Sequence, residues 1–212
     1  QTQNSKNKWN EVDALQFCFV GRDFARKGGI EILRAFDSVE KRNWHLTIVS
    51  SLSLDDYATQ YSKEEQVDLK KEVESILQRR RDQIMHVSSL PNNGVLELMD
   101  KSHIGLLPTW HDTYGYSVLE FQASGCPVVT TDVRALPEIN NDECGWVIPV
   151  CEKFGAQISP LKNKHARAKF SEELTEGLRD VLNEILNSSS TQLQAKSEAS
   201  IARIKRNHDP DR

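Results

Sequence analysis

The stretch Gly21-Arg22-Asp23-Phe24-Ala25-Arg26-Lys27-Gly28-Gly29 follows an apolar run and sets glycines beside cations. Glycine lets a backbone approach a ligand closely, and a helix starting after such a turn offers unpaired N–H groups and the positive end of its dipole. Gly21 would allow the approach, and Arg22 and Lys27 would supply full charges of the sign a diphosphate needs. A solvated basic turn uses the same residues. Neither G-x4-G-K-[ST] nor G-x-G-x-x-G is present, so the two best-known phosphate loops are excluded.

A second segment runs from Pro108 through Thr109, Trp110, His111, Asp112, Thr113, Tyr114, Gly115, Tyr116, Ser117, Val118 and Leu119 to Glu120. Seven residues separate Asp112 from Glu120. Asp112 in a loop and Glu120 in the helix after it could both accept hydrogen bonds from sugar hydroxyls around one pocket. Gly115, Tyr116 and Ser117 would start that helix and present backbone N–H groups to phosphate. A surface acid and a helix-face Glu paired with a lysine are the plainer reading. The third segment is Ala123-Ser124-Gly125-Cys126-Pro127-Val128-Val129-Thr130-Thr131, followed by Leu136-Pro137-Glu138-Ile139. Gly125 suits a helix C′ position, Cys126 reads as a small buried residue, and Glu138 as a first-turn acid.

These segments sit between strand-like and helix-like stretches. Leu15–Val20, His45–Val49, Ile84–Val87, Ile104–Leu107, Pro127–Thr130 and Gly145–Val150 are short apolar runs that read as strands. Helical stripes fall between them: Ile30, Leu33, Phe36, Val39; Leu69, Val73, Ile76, Leu77; Val95, Leu96, Met99 behind an N-cap at Asn92; and 117–123. The alternation predicts an α/β fold, a Rossmann-like parallel sheet of about six strands with helices on both faces. Such sheets bind ligands outside the carboxyl ends of their strands, which directs attention to residues after Gly21, Ser88, Pro108 and Thr130. Residues 1–14 read as a polar N-terminal segment, 15–187 as the Rossmann-like domain, 151–169 as a loop insertion within it, and 188–212 as a polar C-terminal helix. Leu174, Leu178, Val181, Leu182, Ile185 and Leu186 mark the long helix that closes the domain. Both ends read as cut points within a longer chain.

The chain has 212 residues, 38% of them hydrophobic and 27% charged, with a formal net charge of −4. That balance speaks against a dedicated nucleic-acid binder. Cys18, Cys126, Cys144 and Cys151 form no CxxC pair and no His cluster flanks them, so no metal site is expected and the thiols read as reduced and cytosolic. No apolar run reaches the length of a membrane span and no signal peptide is visible, so no membrane contact is expected in this chain.

Taken in order, Phe19-Val20-Gly21-Arg22 with Lys27-Gly28, Leu107-Pro108-Thr109, Asp112 to Glu120, Ala123-Ser124-Gly125-Cys126-Pro127-Val128-Val129, Pro137-Glu138-Ile139 and Gly145 resemble the C-terminal domain of family 4 (group 1) glycosyltransferases. Those enzymes have the GT-B fold of two Rossmann-like halves. The resemblance spans about residues 15–150 and implies a retaining, metal-independent transferase with a nucleoside-diphosphate-sugar donor, UDP- or GDP-linked, and no other cofactor. It implies that Arg22 and Lys27 grip the diphosphate, that Glu120 holds the ribose hydroxyls, that Asp112 stands near the donor sugar, and that Gly115, Tyr116 and Ser117 supply backbone contacts. The base would lie near Ser88, Ser89 and Leu90. Asp112 and Glu120 are therefore the catalytic candidates. Asp112 stands where the family usually has Glu, one methylene longer, and Thr113-Tyr114-Gly115-Tyr116 is bulkier than the common version. An acceptor-binding N-terminal half, which supplies a catalytic His in the family, has no counterpart here, and the isolated chain is expected to be inactive. His111 reads equally as pocket-adjacent or as exposed. A non-catalytic nucleotide-sugar-binding module and a nucleotide-sugar epimerase on the same fold are the alternatives.

Overall fold

The computed structural model describes residues 8–9, 12–41, 43–151 and 163–208. Six strands, β1 (Leu15–Val20), β2 (Trp44–Val49), β3 (Ile84–Val87), β4 (Ile104–Leu107), β5 (Val128–Thr131) and β6 (Gly145–Ile148), form one sheet in the order β3-β2-β1-β4-β5-β6. Every pairing is parallel. Helices α1 (Gly29–Ser38), α2 (Lys63–Arg79), α3 (Asn92–Lys101), α4 (Tyr116–Ala123), α5 (Leu136–Ile139), α6 (Lys164–Asn187) and α7 (Ser190–Asn207) connect and flank it.

The central strands β1, β4 and β5 are buried along most of their length because helices cover both faces of the sheet there, whereas the edge strand β3 leaves Met85 and His86 exposed. Successive side chains point to opposite faces, and the core divides accordingly. Phe17, Phe19, Ile104, Leu106 and Val129 join one cluster with Ile32, Phe36 and Val73 of α1 and α2 and with Phe170, Leu174, Leu178 and Leu182 of α6. Cys18, Leu107 and Val128 face the other way, into a smaller cluster with Met99, Val118, Phe121, Leu136 and Ile139. The Rossmann-like α/β architecture with helices on both faces is thus present.

Some local expectations need correcting. Pro91, not Asn92, is the N-cap of α3, and no side chain caps that helix. β5 starts at Val128 and β6 ends at Ile148. Pro127 has no N–H for the ladder, but its carbonyl still accepts from Gly105 N at 3.0 Å. Helix α6 begins at Lys164, inside the stretch read as a loop insertion at 151–169, with Asn163 accepting from Ala166 N as its cap. Residues 152–162 of that stretch lie outside the described residues. Gly125 takes the expected place after α4: Gly125 N bonds Gln122 O at 3.0 Å and Cys126 N bonds Phe121 O at 2.8 Å, the paired bonds of a Schellman turn.

Candidate functional site

In this strand order the chain reverses direction of progress between β1 and β4, and the loops leaving their carboxyl ends border a crevice, the usual ligand position in open parallel sheets. The β1–α1 loop carries Gly21, Arg22 and Lys27. The β4–α4 loop carries Asp112 and ends at Gly115. The two loops are built against each other. Trp110 N donates to Arg26 O at 2.8 Å, and Thr109 Oγ1 donates to the same carbonyl at 3.0 Å. Gly28 makes the closest approach. It has φ 79°, and a Cβ there would fall well inside contact distance of Pro108 O. Only a residue without a side chain takes that conformation at that spacing cheaply.

Several of the sequence candidates meet here. Lys27 Nζ lies 3.9 Å from Asp112 Oδ2. The other oxygen, Asp112 Oδ1, accepts from Gly115 N at 3.2 Å and Tyr114 N at 3.4 Å. This turn fixes Gly115 at φ 83° as the N-cap residue of α4. The Lys27 stem covers Gly21, where a Cβ would come within 2.6 Å of Lys27 Cδ. Ser117 Oγ is buried and has no hydrogen-bond partner among the described residues. Arg22 and Glu120 are exposed, and neither side chain has an ion-pair or hydrogen-bond partner among the described residues. Tyr116 is 72% exposed and lies one helical turn before Glu120 on α4.

Ser89 and Leu90 do not join this group. They are exposed at the carboxyl end of β3, at the sheet edge. At about 4.8 Å per strand, β3 stands roughly 10 Å from β1. That spacing keeps Ser89 and Leu90 apart from the Lys27–Asp112 pair, which lies on the loops after β1 and β4.

The β2–α2 connection, residues 50–62, also belongs to the site, and reading the sequence as merely polar missed it. It is far longer than the usual βα loop of about 2–6 residues. It packs against the β1–α1 loop: Ala25 N donates to Ser53 O at 3.1 Å, Ser51 Oγ donates to Arg22 O at 3.2 Å, and Arg26 Nε donates to Asp56 Oδ2 at 3.0 Å. Arg26 also pairs with Asp23 and donates to His111 O at 3.3 Å. Tyr57 Oη lies 2.8 Å from His111 Nδ1. Burial holds the His111 pKa below its ordinary value, and the positive charges of Arg134 and Arg26 add to this, so the ring is neutral near neutral pH. The long run 50–62 and its Asp55-Asp56-Tyr57 triplet were the available signals.

Away from the crevice, a cavity of 680 Å³ opens between α2 and α6. Its charged walls are largely paired internally, with Arg34 on Glu72 at 2.7 Å and Arg167 on Glu65 at 2.6 Å.

A six-stranded parallel sheet with helices on both faces and glycine-bearing loops at its switch point defines a Rossmann-like α/β domain. The family described as glycosyl transferases group 1 matches residues 1–177, and the chain belongs to that family. Among solved structures, the chain is similar to the C-terminal domain of a group 1 family glycosyl transferase, LpcC, from Francisella tularensis. Identity is 18%, coverage is 98% of this chain and 92% of that one, and the TM-score is 0.66. It is similar to WaaG, a glycosyltransferase involved in lipopolysaccharide biosynthesis, at 23% identity, 98% and 46% coverage and TM-score 0.63. It is also similar to HepE of Anabaena, solved in complex with UDP and glucose, at 12% identity, 99% and 49% coverage and TM-score 0.66. The fold is that of GT-B C-terminal domains. The chain spans less than half the length of WaaG, HepE and the sucrose-phosphate synthase of Thermosynechococcus elongatus, which it also resembles in fold. No curated protein sequence matches it closely enough to count as a relative. Among the described residues, no helix is long and apolar enough to cross a membrane.

Proposed function

We propose that this chain is the donor-binding half of a retaining glycosyltransferase and holds a nucleoside-diphosphate sugar in the β1/β4 crevice. One observation carries the reading: Lys27, Asp112 and the N-terminus of α4 are fastened together at the switch point, while the charges of Arg22 and Glu120 at the same edge have no partners among the described residues. The solved complex of HepE with UDP and glucose supports it by fold.

In this reading the diphosphate lies between Arg22, Lys27 and the amides after Gly115, Glu120 takes the ribose hydroxyls, and the base lies toward Ser89 and Leu90. As the bond from the anomeric carbon to the diphosphate breaks, its electron pair goes to the phosphate oxygen. The cations and the α4 dipole stabilise that developing charge without reorganising. The acceptor oxygen bonds to the same face of the sugar, and its proton passes to the departing phosphate, so no protein nucleophile is needed. A trapped covalent glycosyl-enzyme would overturn this route. The acceptor and the remaining catalytic groups come from a second half, so the chain alone should turn over little. The unpaired thiols fit a cytoplasmic setting.

The test is calorimetric titration with UDP, GDP and ADP on the parent chain and on Glu120→Ala and Arg22→Ala. Loss of a charge-assisted hydrogen bond costs about 1.5–3 kcal/mol, so each variant should bind its nucleotide about 10- to 150-fold more weakly. Equal affinity in both variants would refute the site.

A further inference from the structure

The β2–α2 loop and the residue before Asp112 form a surface that the phosphate site does not use. Tyr57 is 58% exposed. Its ring meets that of His111 edge-on at 5.5 Å between centroids, and its hydroxyl meets His111 Nδ1 at 2.8 Å. The Arg26 guanidinium lies over the Tyr57 ring, 5.3 Å from its centroid. Three loops, following β1, β2 and β4, thus converge on one aromatic pair. His111 is adjacent in sequence to Asp112 and so stands at the rim of the crevice. Its Nε2 has no partner among the described residues.

The chemistry of this wall differs from that of the diphosphate cradle. Arg26 is neutralised by Asp23 and Asp56. A phosphate gains little from so balanced a surface. A phenol hydroxyl and a neutral imidazole can each donate or accept, which suits hydroxyl groups. An exposed aromatic ring beside them suits the C–H face of a pyranose, as aromatic bodies with polar tips do at other wet interfaces.

On the reading that the crevice holds a nucleoside-diphosphate sugar, we propose that Tyr57 and His111 form a specificity wall that recognises the hydroxyls of the donor's sugar ring. The 50–62 loop exists at this length to bring Tyr57 there. Asp56 and Arg26 anchor the loop, and the Tyr57–His111 bond fixes the imidazole so that Nε2 faces outward.

The experiment compares UDP with UDP-glucose, GDP with GDP-mannose and ADP with ADP-glucose by calorimetry, on the parent, Tyr57→Phe and His111→Gln. The readout is the gain in affinity that the sugar confers over the bare diphosphate. Tyr57→Phe keeps the ring and removes only the hydroxyl, and binding of the bare diphosphate shows that each variant is folded. The gain should fall about three- to tenfold in each variant, the size expected for one neutral hydrogen bond. An unchanged gain, or no gain in the parent with any pair, overturns the proposal while leaving the nucleotide site standing. If no bare diphosphate binds the parent, the nucleotide reading fails and the wall fails with it. Should the variants weaken only free methyl glucoside added to the diphosphate-bound chain, the wall belongs to an acceptor sugar and the donor assignment is wrong.

Discussion

At the scale of single residues, the crevice depends on a close approach that side chains would prevent. Gly28 combines φ 79° with a packing distance to Pro108 O that leaves no room for Cβ. Gly28→Ala should therefore cost at least about 1–3 kcal/mol in denaturant unfolding, because strain and displacement act together. It should also weaken nucleotide binding, since the loops bearing Lys27 and Asp112 are pushed apart. A variant as stable as the parent would mean the loops can shift freely. Glu31, in the first turn of α1, is fully buried. Burial raises its pKa above 4.5, against the opposing effects of Ser171 and Arg34. Because the folded chain holds this proton more tightly than the unfolded one, the stabilisation is complete below the ordinary carboxylate range and is lost as pH rises toward the raised value. Glu31→Gln keeps an oxygen for the Ser171 hydroxyl and does not ionise. Its melting temperature relative to the parent should climb as the pH rises above the ordinary carboxylate range, and a flat difference would show that the Glu31 pKa is not raised. The glycine and cation candidates were legible because their chemistry is local. The Arg26–Asp56 and Tyr57–His111 contacts were not, because they join residues 30 and 54 apart and no periodicity announces them.

At the scale of elements, what could be read from sequence was what short-range physics decides. The runs 15–20 and 104–107 are legible with their observed bounds because strands covered on both faces are apolar along most of their length. The start of α6 was missed because Lys164, His165, Arg167 and Lys169 look like a solvated loop. Arg167 is buried by an ion pair with Glu65, 102 residues away, at 2.6 Å. The Asn163 cap was the one local sign. Glu65 has two tasks, since it also closes the capping box of α2 by accepting from Ser62 N at 2.9 Å. Arg167 helps to keep its carboxyl below the ordinary range against the effect of partial burial. Glu65→Gln should keep the box and lose the charge, whereas Glu65→Ala loses both. The alanine variant should be the less stable by about 0.5–2 kcal/mol in urea unfolding, the worth of a helix cap. Equal losses would assign the whole effect to the ion pair.

At the scale of the molecule, the two edges of the sheet do different work. The carboxyl edge carries the glycine loops, the exposed charges and the Tyr57 wall. The amino edge is closed by parts of the chain that precede the first strand and follow α6. Lys8 Nζ donates to Ser102 O at 2.8 Å and Ser124 O at 3.0 Å. Trp9 is 2% exposed and packs on His103 at 5.1 Å between ring centroids. His103 in turn accepts from Gln16 N at 2.9 Å through Nδ1. Helix α7 adds Ser197 Oγ to Gly125 O at 2.6 Å and Ser200 Oγ to Cys144 O at 2.7 Å. Polar carbonyls before the amino ends of β4, β5 and β6 are thereby satisfied by groups from outside the β1–α1 and β4–α4 loops. Stability and ligand binding should then separate by edge. Trp9→Ala removes a buried aromatic side chain and should cost about 3–5 kcal/mol in denaturant unfolding. At a temperature where the variant remains folded, its nucleotide dissociation constant should match the parent's within about twofold, less than the 1.4 kcal/mol that a tenfold change would represent. A larger loss of affinity at the carboxyl edge, from a change confined to the amino edge, would mean that the sheet transmits strain between them and that the division of labour proposed here is wrong.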